Sequence, residues 1–543
     1  MKRLTRKLTL LASLLLIPSL TLALESIPLT NFGGGLNNKV SSTEIASNEA
    51  RDIKNINLSY AIGQINKRTG YVSVSTHTVY GAYAITGGFD YANGVGTQYL
   101  LACSTSTIRK YNSSTAGHWD IITPSSTVSI TSTDYYDFEV FVDTCVIVGG
   151  QNVPQKYYGG SLTYDIDTGT DPDDHRPNYA QYVERFKNRL WFGGKMQEAD
   201  AGVAGSLTYN RVRYSGDYGA PNIFEGADAW PENWYFNIDD ELITGMKTFR
   251  DSLIVFGLHS INAIRGEMYA ATNAFTLTKL TNSVGCISNR TIVPVDNDLY
   301  FMAPSGHIYS YDGSSVQLRS DKISTTINAL NKLYIQYSVA CYFPKYHQLW
   351  VSCPTSSATT NDQVLVYDTL YDTWSIYSGI EASVLFLREV NNEYQLYSGS
   401  AAYGYLSRQD SGDIDYPNNT ATDIDAYYST KYFSTDMKER DNIFDSIFVT
   451  VEQSGDYDLK VKAITDYGKY QTEYLIPLTP GGSLWDQAVW DVDTWAGEDT
   501  VLIKKLGLNR AGSFISLTFG TAYQSQPFTI FGARILFNPQ EMR

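Results

Sequence analysis

After the first 23 residues the chain has no run that approaches the roughly 18 uncharged apolar residues of a membrane span. It also lacks any Cys-x-x-Cys pair: Cys103, Cys145, Cys286, Cys341 and Cys353 are spread over some 250 positions, which excludes a zinc knuckle or a dense disulfide framework. An odd count leaves at least one thiol unpaired, and small apolar residues on buried strands are the expectation for all five. The six histidines, His77, His118, His175, His259, His307 and His347, never fall at the short spacing of a metal pair. No Gly-x-Ser-x-Gly elbow and no Gly-x-x-x-x-Gly-Lys phosphate loop occurs, and Gly33 to Gly35 precede no strand-to-helix turn, so they read as a pliable tether. Charge is scarce, at 18% of residues, and unbalanced, with a formal net of −16. Binding along a nucleic-acid backbone draws on clustered Lys and Arg, so the composition disfavours sequence-specific DNA binding, whereas a conduit past which DNA slides is compatible with acidity.

What the chain does have is 42 Tyr, 42 Gly and 13% aromatic residues over 543 positions, a mixture suited to pleated, half-buried strands joined by tight turns. The length suggests three or four domains unless one large closed β fold takes it up. The opening "MKRLTRKLTLLASLLLIPSLTLALES" places Lys2, Arg3, Arg6 and Lys7 before an apolar run from Leu8 to Ile17 and a Thr21-Leu22-Ala23 exit, the three regions of a secretory signal with cleavage after Ala23. A misplaced start codon is the competing explanation for residues 1–23. Residues 24–68 follow as an N-terminal tether or strand-adding arm.

A local pattern then recurs: a short apolar strand, a turn rich in Gly, Ser, Asn or Pro, and a second strand with an aromatic near its end. Its seven starts are Gln98, Thr144, Asn188, Asp251, Asn297, His347 and Asn392, at intervals of 46, 44, 63, 46, 50 and 45 residues. The long interval contains a Gly/Ala-rich insertion around Ala199 to Ser206. Four short strands with their turns need about 40 to 50 residues, and radial stacking buries both faces of each sheet. The fold class expected is all-β, with a β-propeller of about seven blades over 69–410 and a C-terminal β-sandwich over 411–543. An irregular array of evenly spaced hairpins is the alternative. Trp119 follows Tyr111 by eight positions and Trp374 follows Tyr367 by seven, so an aromatic recurs after two of the hairpins.

Beyond Asp410 the pattern changes to half-exposed alternation, as in "NIFDSIFVTVEQSGDYDLKVKAITDYG", the signature of an antiparallel hairpin on a sandwich. Trp485, Trp490 and Trp495 fit neither strand nor helix period and are expected on a loop folded onto that sandwich. Asp165, Asp167, Asp171, Asp173 and Asp174 are the best metal candidates, but they miss the EF-hand spacing and read as a solvated acidic loop. A glycosidase needs two facing carboxylates, and sialidase-type propellers carry Ser-x-Asp-x-Gly-x-Thr-Trp turns. Asp372-Thr373-Trp374 and Asp493-Thr494-Trp495 lack the rest of that pattern. No catalytic, cofactor-binding or metal residue is assigned, and no cofactor or enzyme activity is expected.

The stretch "NFGGGLNNKVSSTEIASNEARDIKNINLSYAIGQINKRTGY", with "ERFKNRLWFGG", "RVRYSGDYGAPNIF", "FRDSLIVFGLHSINAI", "DNDLYFMAPSGHIYSYDG" and "PFTIFGARILFNPQEMR", resembles tail-hub and nozzle proteins of tailed bacteriophages. The resemblance covers most of residues 25–543. It implies a structural virion protein: a ring-forming tail (nozzle or hub) or head-to-tail connector subunit that lines the DNA exit path. Its partners would be other copies of itself and neighbouring tail or connector proteins, with non-specific passage of DNA and no stable membrane insertion. The signal-like start supports the alternative, an exported β-propeller that binds or cleaves surface glycans.

Overall fold

The structure is a computed structural model that describes residues 24–114, 117–125, 134–149, 152–167, 175–200, 203–217, 224–226, 229–238, 241–267, 275–434, 442–479, 501–521 and 525–540. The signal-like segment 1–23, Asp171, Asp173, Asp174 and the three tryptophans of 485–495 lie outside these residues. Among the described residues the chain is all-β, built from many small sheets.

Seven four-stranded antiparallel sheets follow one another along the chain. Their first strands are Ile85–Ala92, Asp137–Phe141, Tyr182–Phe186, Ile243–Phe249, Val293–Val295, Val339–Phe343 and Ala382–Val390. Their second strands are Gln98–Ser104, Thr144–Val148, Arg189–Gly193, Ser252–Gly257, Asp298–Met302, Gln348–Cys353 and Glu393–Ser400. Each of the seven repeat starts thus falls on the first residue of a second strand or on the residue just before it. Five sheets are made from consecutive strands, and the third is interrupted between Arg189–Gly193 and Arg211–Tyr214 by two strands of another sheet. The seventh takes its fourth strand, Val72–Ser73, from before the first sheet, paired antiparallel with Leu406–Arg408. The long interval holds Met196–Asp200 and Val203–Thr208, two strands of an extra sheet whose third strand is Pro177–Tyr179.

The second strands are near-continuous apolar runs because both of their faces are buried, each against a different neighbour. Leu101 and Cys103 pack against Cys145 and Ile147 of the second sheet, while Leu100 and Ala102, pointing the other way, pack against Val384 and Tyr397 of the seventh. Leu253 and Val255 meet Trp191 and Tyr214, and the alternating Ile254 and Phe256 meet Leu299 and Phe301. Such a shared cluster joins every consecutive pair of sheets and also joins the seventh to the first. The two recurring aromatics are cross-strand neighbours: Trp119 lies opposite Tyr111 and Trp374 opposite Tyr367, with ring centroids 5.4 and 4.7 Å apart.

Two further sheets of six strands each combine both ends of the chain. In one, Asn442–Glu452 runs between Val501–Gly512 and Thr529–Pro539, and the last pairs with both Glu25–Leu29 and Ile65–Lys67. In the other, Glu49–Lys54 pairs with Tyr427–Thr430, which leads through Ile515–Thr521 to Asp458–Thr465 and Tyr470–Pro477. One apolar core fills the space between them and continues into the fifth and sixth small sheets through Tyr300, Leu349, Leu365 and Trp374. Residues 25–67 are therefore strands of these two sheets. The glycines read as a tether are closely packed: a Cβ on Gly34 would lie 2.8 Å from the Asn48 carbonyl oxygen, and one on Gly35 2.8 Å from the Trp374 nitrogen. Gly35 also has φ +71°, a conformation that side-chain-bearing residues avoid.

Candidate functional site

Lys67-Arg68-Thr69-Gly70 leads from the two-sheet unit into Val72–Ser73, the fourth strand of the seventh small sheet, and every residue of it grips the segment 410–415 that leaves the same sheet. Lys67 Nζ donates to the Asp413 carbonyl at 3.0 Å, and burial lowers its pKa to about 8. Thr69 Oγ1 donates to Asp410 Oδ1 at 2.8 Å. Gly70 N donates to the Gly412 carbonyl at 2.7 Å, and its own carbonyl accepts from Ser411 N. Arg68 and Asp415 form a two-pronged ion pair at 2.8 and 2.6 Å, with side chains only 2% and 4% exposed. The remaining guanidinium donors reach Asn55 Oδ1 and the carbonyls of Thr69 and Ser378, each at 2.9 Å, so all five N–H groups are satisfied. On the far side of the clasp, Asp410 Oδ2 accepts from Lys345 Nζ at 2.5 Å and from Tyr346 OH at 3.1 Å.

A second constellation lies where the first strands of the small sheets converge. Glu184 accepts from Lys247 Nζ at 2.8 Å and from Thr248 N at 3.0 Å. Asp137 accepts from Val183 N at 3.1 Å and Asn289 Nδ2 at 3.2 Å. Glu139 shares the field of the same groups. Burial pushes Asp137 up to about 6 and, reinforced by the Glu184 charge, pushes Glu139 up to about 7. Burial alone would lower Lys247, but Glu184, Glu139 and Asp137 hold it above its ordinary value. Arg388 and Asp90, 3.3 Å apart, face each other across the first strands of the seventh and first sheets.

Two adjoining cavities of about 380 and 210 Å³ open at this end, sharing Tyr135 and Tyr337 in their walls. Tyr182, Tyr334, Gln181, Gln336, Asn289 and Asp137 also line them. Arg290 lies 3.4 Å from the Tyr135 ring centroid and donates to the carbonyls of Ser383 and Tyr337, so it braces the wall. Aromatic faces, amides and a carboxylate around a solvent-open hollow suit a small polar ligand with apolar faces.

The sequence-derived candidates are dispersed by comparison. Asp165 accepts from Ser125 and Gln155, and Asp167 faces Arg176 at 3.6 Å and accepts from Gly226 N. Among the described residues no group of three His, Cys, Asp or Glu side chains has metal-binding geometry. His77 and His118, 41 positions apart, meet with ring centroids 3.9 Å apart. All five cysteines are free, four buried and Cys341 half-buried. Asp372 sits in a turn at φ +54° and accepts from Tyr367 OH. The converging charges went unrecognised because they are up to 110 positions apart, yet a signal exists. Glu139-Val140-Phe141, Glu184-Arg185-Phe186 and Lys247-Thr248-Phe249 each set a charge two residues before the Phe that ends a first strand.

No protein-family profile and no curated protein matches this chain. Among solved structures it is similar to the computationally designed Ika8 protein (TM-score 0.32, 9% identity, covering 63% of this chain and 100% of that one). It is also similar to PorZ, a surface component of the type-IX secretion system of Porphyromonas gingivalis (0.35, 10%, 74% and 46%), and to Chaetomium thermophilum Raptor (0.37, 9%, 64% and 29%). The matches span less than half of PorZ and under a third of Raptor. No helix among the described residues is long and apolar enough to cross a membrane.

Proposed function

We propose that the seven small sheets are the blades of a closed β-propeller, that the two six-stranded sheets form a β-sandwich, and that the chain is a structural virion protein of a tailed phage. In this reading it is a ring-forming subunit of the tail nozzle or hub, or of the head-to-tail connector, without catalytic function or cofactor. It lines the DNA exit path beside other copies of itself and neighbouring tail proteins. The observation that carries the reading is the clasp. The Lys67-to-Gly70 segment, part of the phage-like opening, is the point where the two-sheet unit and the two chain segments that enter and leave the seventh blade are tied together. A subunit that must keep its shape under a passing polyanion gains from such a one-piece body, and from carboxylates that do not retain phosphates. Mass spectrometry of purified particles tests it: the chain should be present in multiple copies per particle and should not be processed after Ala23. Absence from particles would overturn it.

The second reading, an exported propeller that binds or cleaves surface glycans, is favoured by the tyrosine- and amide-lined cavities beside Asp137. Titration with neutral oligosaccharides, comparing the wild type with Tyr337→Ala, tests it. Saturable binding lost in the variant would support a glycan site, and no binding would remove it.

A further inference from the structure

Val501–Gly512 is a twelve-residue strand at the border of the first six-stranded sheet, hydrogen-bonded along its length to Asn442–Glu452 on one side. Among the described residues no strand pairs with its other side. Long bare edges template pairing with another chain, and proteins ordinarily shorten or cover them. This one carries Val501 and Ile503 at 50% and 65% exposure. Lys504, Lys505 and Arg510 are exposed on it, and none has a carboxylate partner among the described residues. Lysines also guard edges against association, but here charge is segregated along the whole chain. Residues 501–540 hold four basic side chains and no acidic one, whereas residues 69–410 hold 34 acidic and 21 basic ones.

We infer that this basic border strand is the contact through which one copy of the chain docks on the acidic seven-sheet body of the next. The inference rests on the ring-forming reading above and names its interface. Like charges disfavour two such edges meeting across a two-fold axis, so the contact joins different surfaces of the two copies. Heterologous contacts of this kind close into rings when the rotation permits. The exposed Val501 and Ile503 supply apolar area at one end of the strand, and the three cations supply steering and register.

The test is sedimentation velocity of the full chain at high concentration, in low and in high salt, for the wild type and for a Lys504→Glu, Lys505→Glu, Arg510→Glu variant. All three positions are exposed, so the variant should keep the wild-type melting temperature. The wild type should form a defined oligomer that dissociates with salt, and the variant should lose it. In parallel, hydrogen exchange of the 501–512 amides in the wild type should slow by at least about tenfold on assembly. A variant that still assembles, or edge amides indifferent to assembly, would overturn the inference while leaving the ring-forming reading intact. A wild type that stays monomeric would also overturn it, and particle composition would then decide the broader reading separately. Edge amides already protected in a monomer would mean that the chain covers its own edge, which equally refutes the contact.

Discussion

Replacing Arg68 by Ala removes the centre of the clasp, and the structure sets the size of the effect. Asp415 would be left 4% exposed, with both of its oxygens stripped of their guanidinium donors. Asn55 Oδ1 and the carbonyls of Thr69 and Ser378 would each lose a hydrogen bond as well. Breaking a buried ion pair by removing one partner costs about 3–5 kcal/mol, because the uncompensated charge stays buried. The pair itself is not a net source of stability: burial holds the Asp415 carboxyl above its ordinary pKa even with Arg68 on both oxygens. An Arg68→Met, Asp415→Leu double replacement, similar in volume and free of charge, should therefore recover most of the loss. Arg68→Lys should behave like the alanine variant in kind, since an ammonium cannot bridge both carboxylate oxygens and three acceptors in one plane.

The assay is hydrogen exchange of residues 55–73 and 406–416 alongside urea unfolding, because a chain of this size need not unfold in one step. The expectation for Arg68→Ala is local opening of both segments at a free energy lowered by about 3 kcal/mol or more. Protection in the first strands of the third and fourth sheets should stay unchanged. An alanine variant within about 1 kcal/mol of the wild type, or a double apolar variant worse than either single one, would refute the assignment of 67–70 and 410–415 as a coupled clasp.

Gly70→Ala should cost at least about 2 kcal/mol in the same assay, since its Cβ would sit 1.9 Å from the Ile414 carbonyl oxygen. The converging carboxylates predict a pH dependence. Asp137 and Glu139 hold protons more tightly folded than unfolded, so stability should be highest in mild acid. It should fall by about 3 kcal/mol as the pH rises from about 5 to 8. Glu139→Gln, which keeps the shape without the charge, should flatten that slope and raise the melting temperature at alkaline pH with little change near pH 5; an unchanged slope would contradict the assignment. Buried thiols with raised pKa values should resist Ellman's reagent in the folded protein, and all five cysteines should react in guanidinium.

The periodic part of this architecture is legible in the sequence because each second strand repeats one local requirement. It needs a turn residue followed by an apolar run with two buried faces, as in Asn188 before Arg189–Gly193 or His347, at φ +54°, before Gln348–Cys353. Residues 25–70 offer no such signal. Their strands are two to six residues long, and their partners beyond the segment lie more than 300 positions away: Glu25 opposite Phe537 and Lys54 opposite Tyr427. Local composition cannot encode an element whose hydrophobic face and hydrogen-bond acceptors are supplied by the other end of the chain.

The same argument explains why a glycine run and the segment that ends in Lys67-Arg68 looked like a tether. Each residue answers a different constraint, close backbone approach at Gly34, Gly35 and Gly70, a buried carboxylate at Arg68, an exposed carbonyl at Lys67 and a carboxylate at Thr69. None of these is visible without its partner. That heterogeneity makes the segment informative: a period can be met by many sequences, whereas Lys-Arg-Thr-Gly against Asp-Ser-Gly-Asp-Ile-Asp is a lock in which substitution on one side requires a matching change on the other. If the clasp holds the two ends of the chain to one body, Arg68→Asp or Asp415→Arg alone should open residues 55–73 and 406–416 to hydrogen exchange, and the two changes together should restore part of the protection.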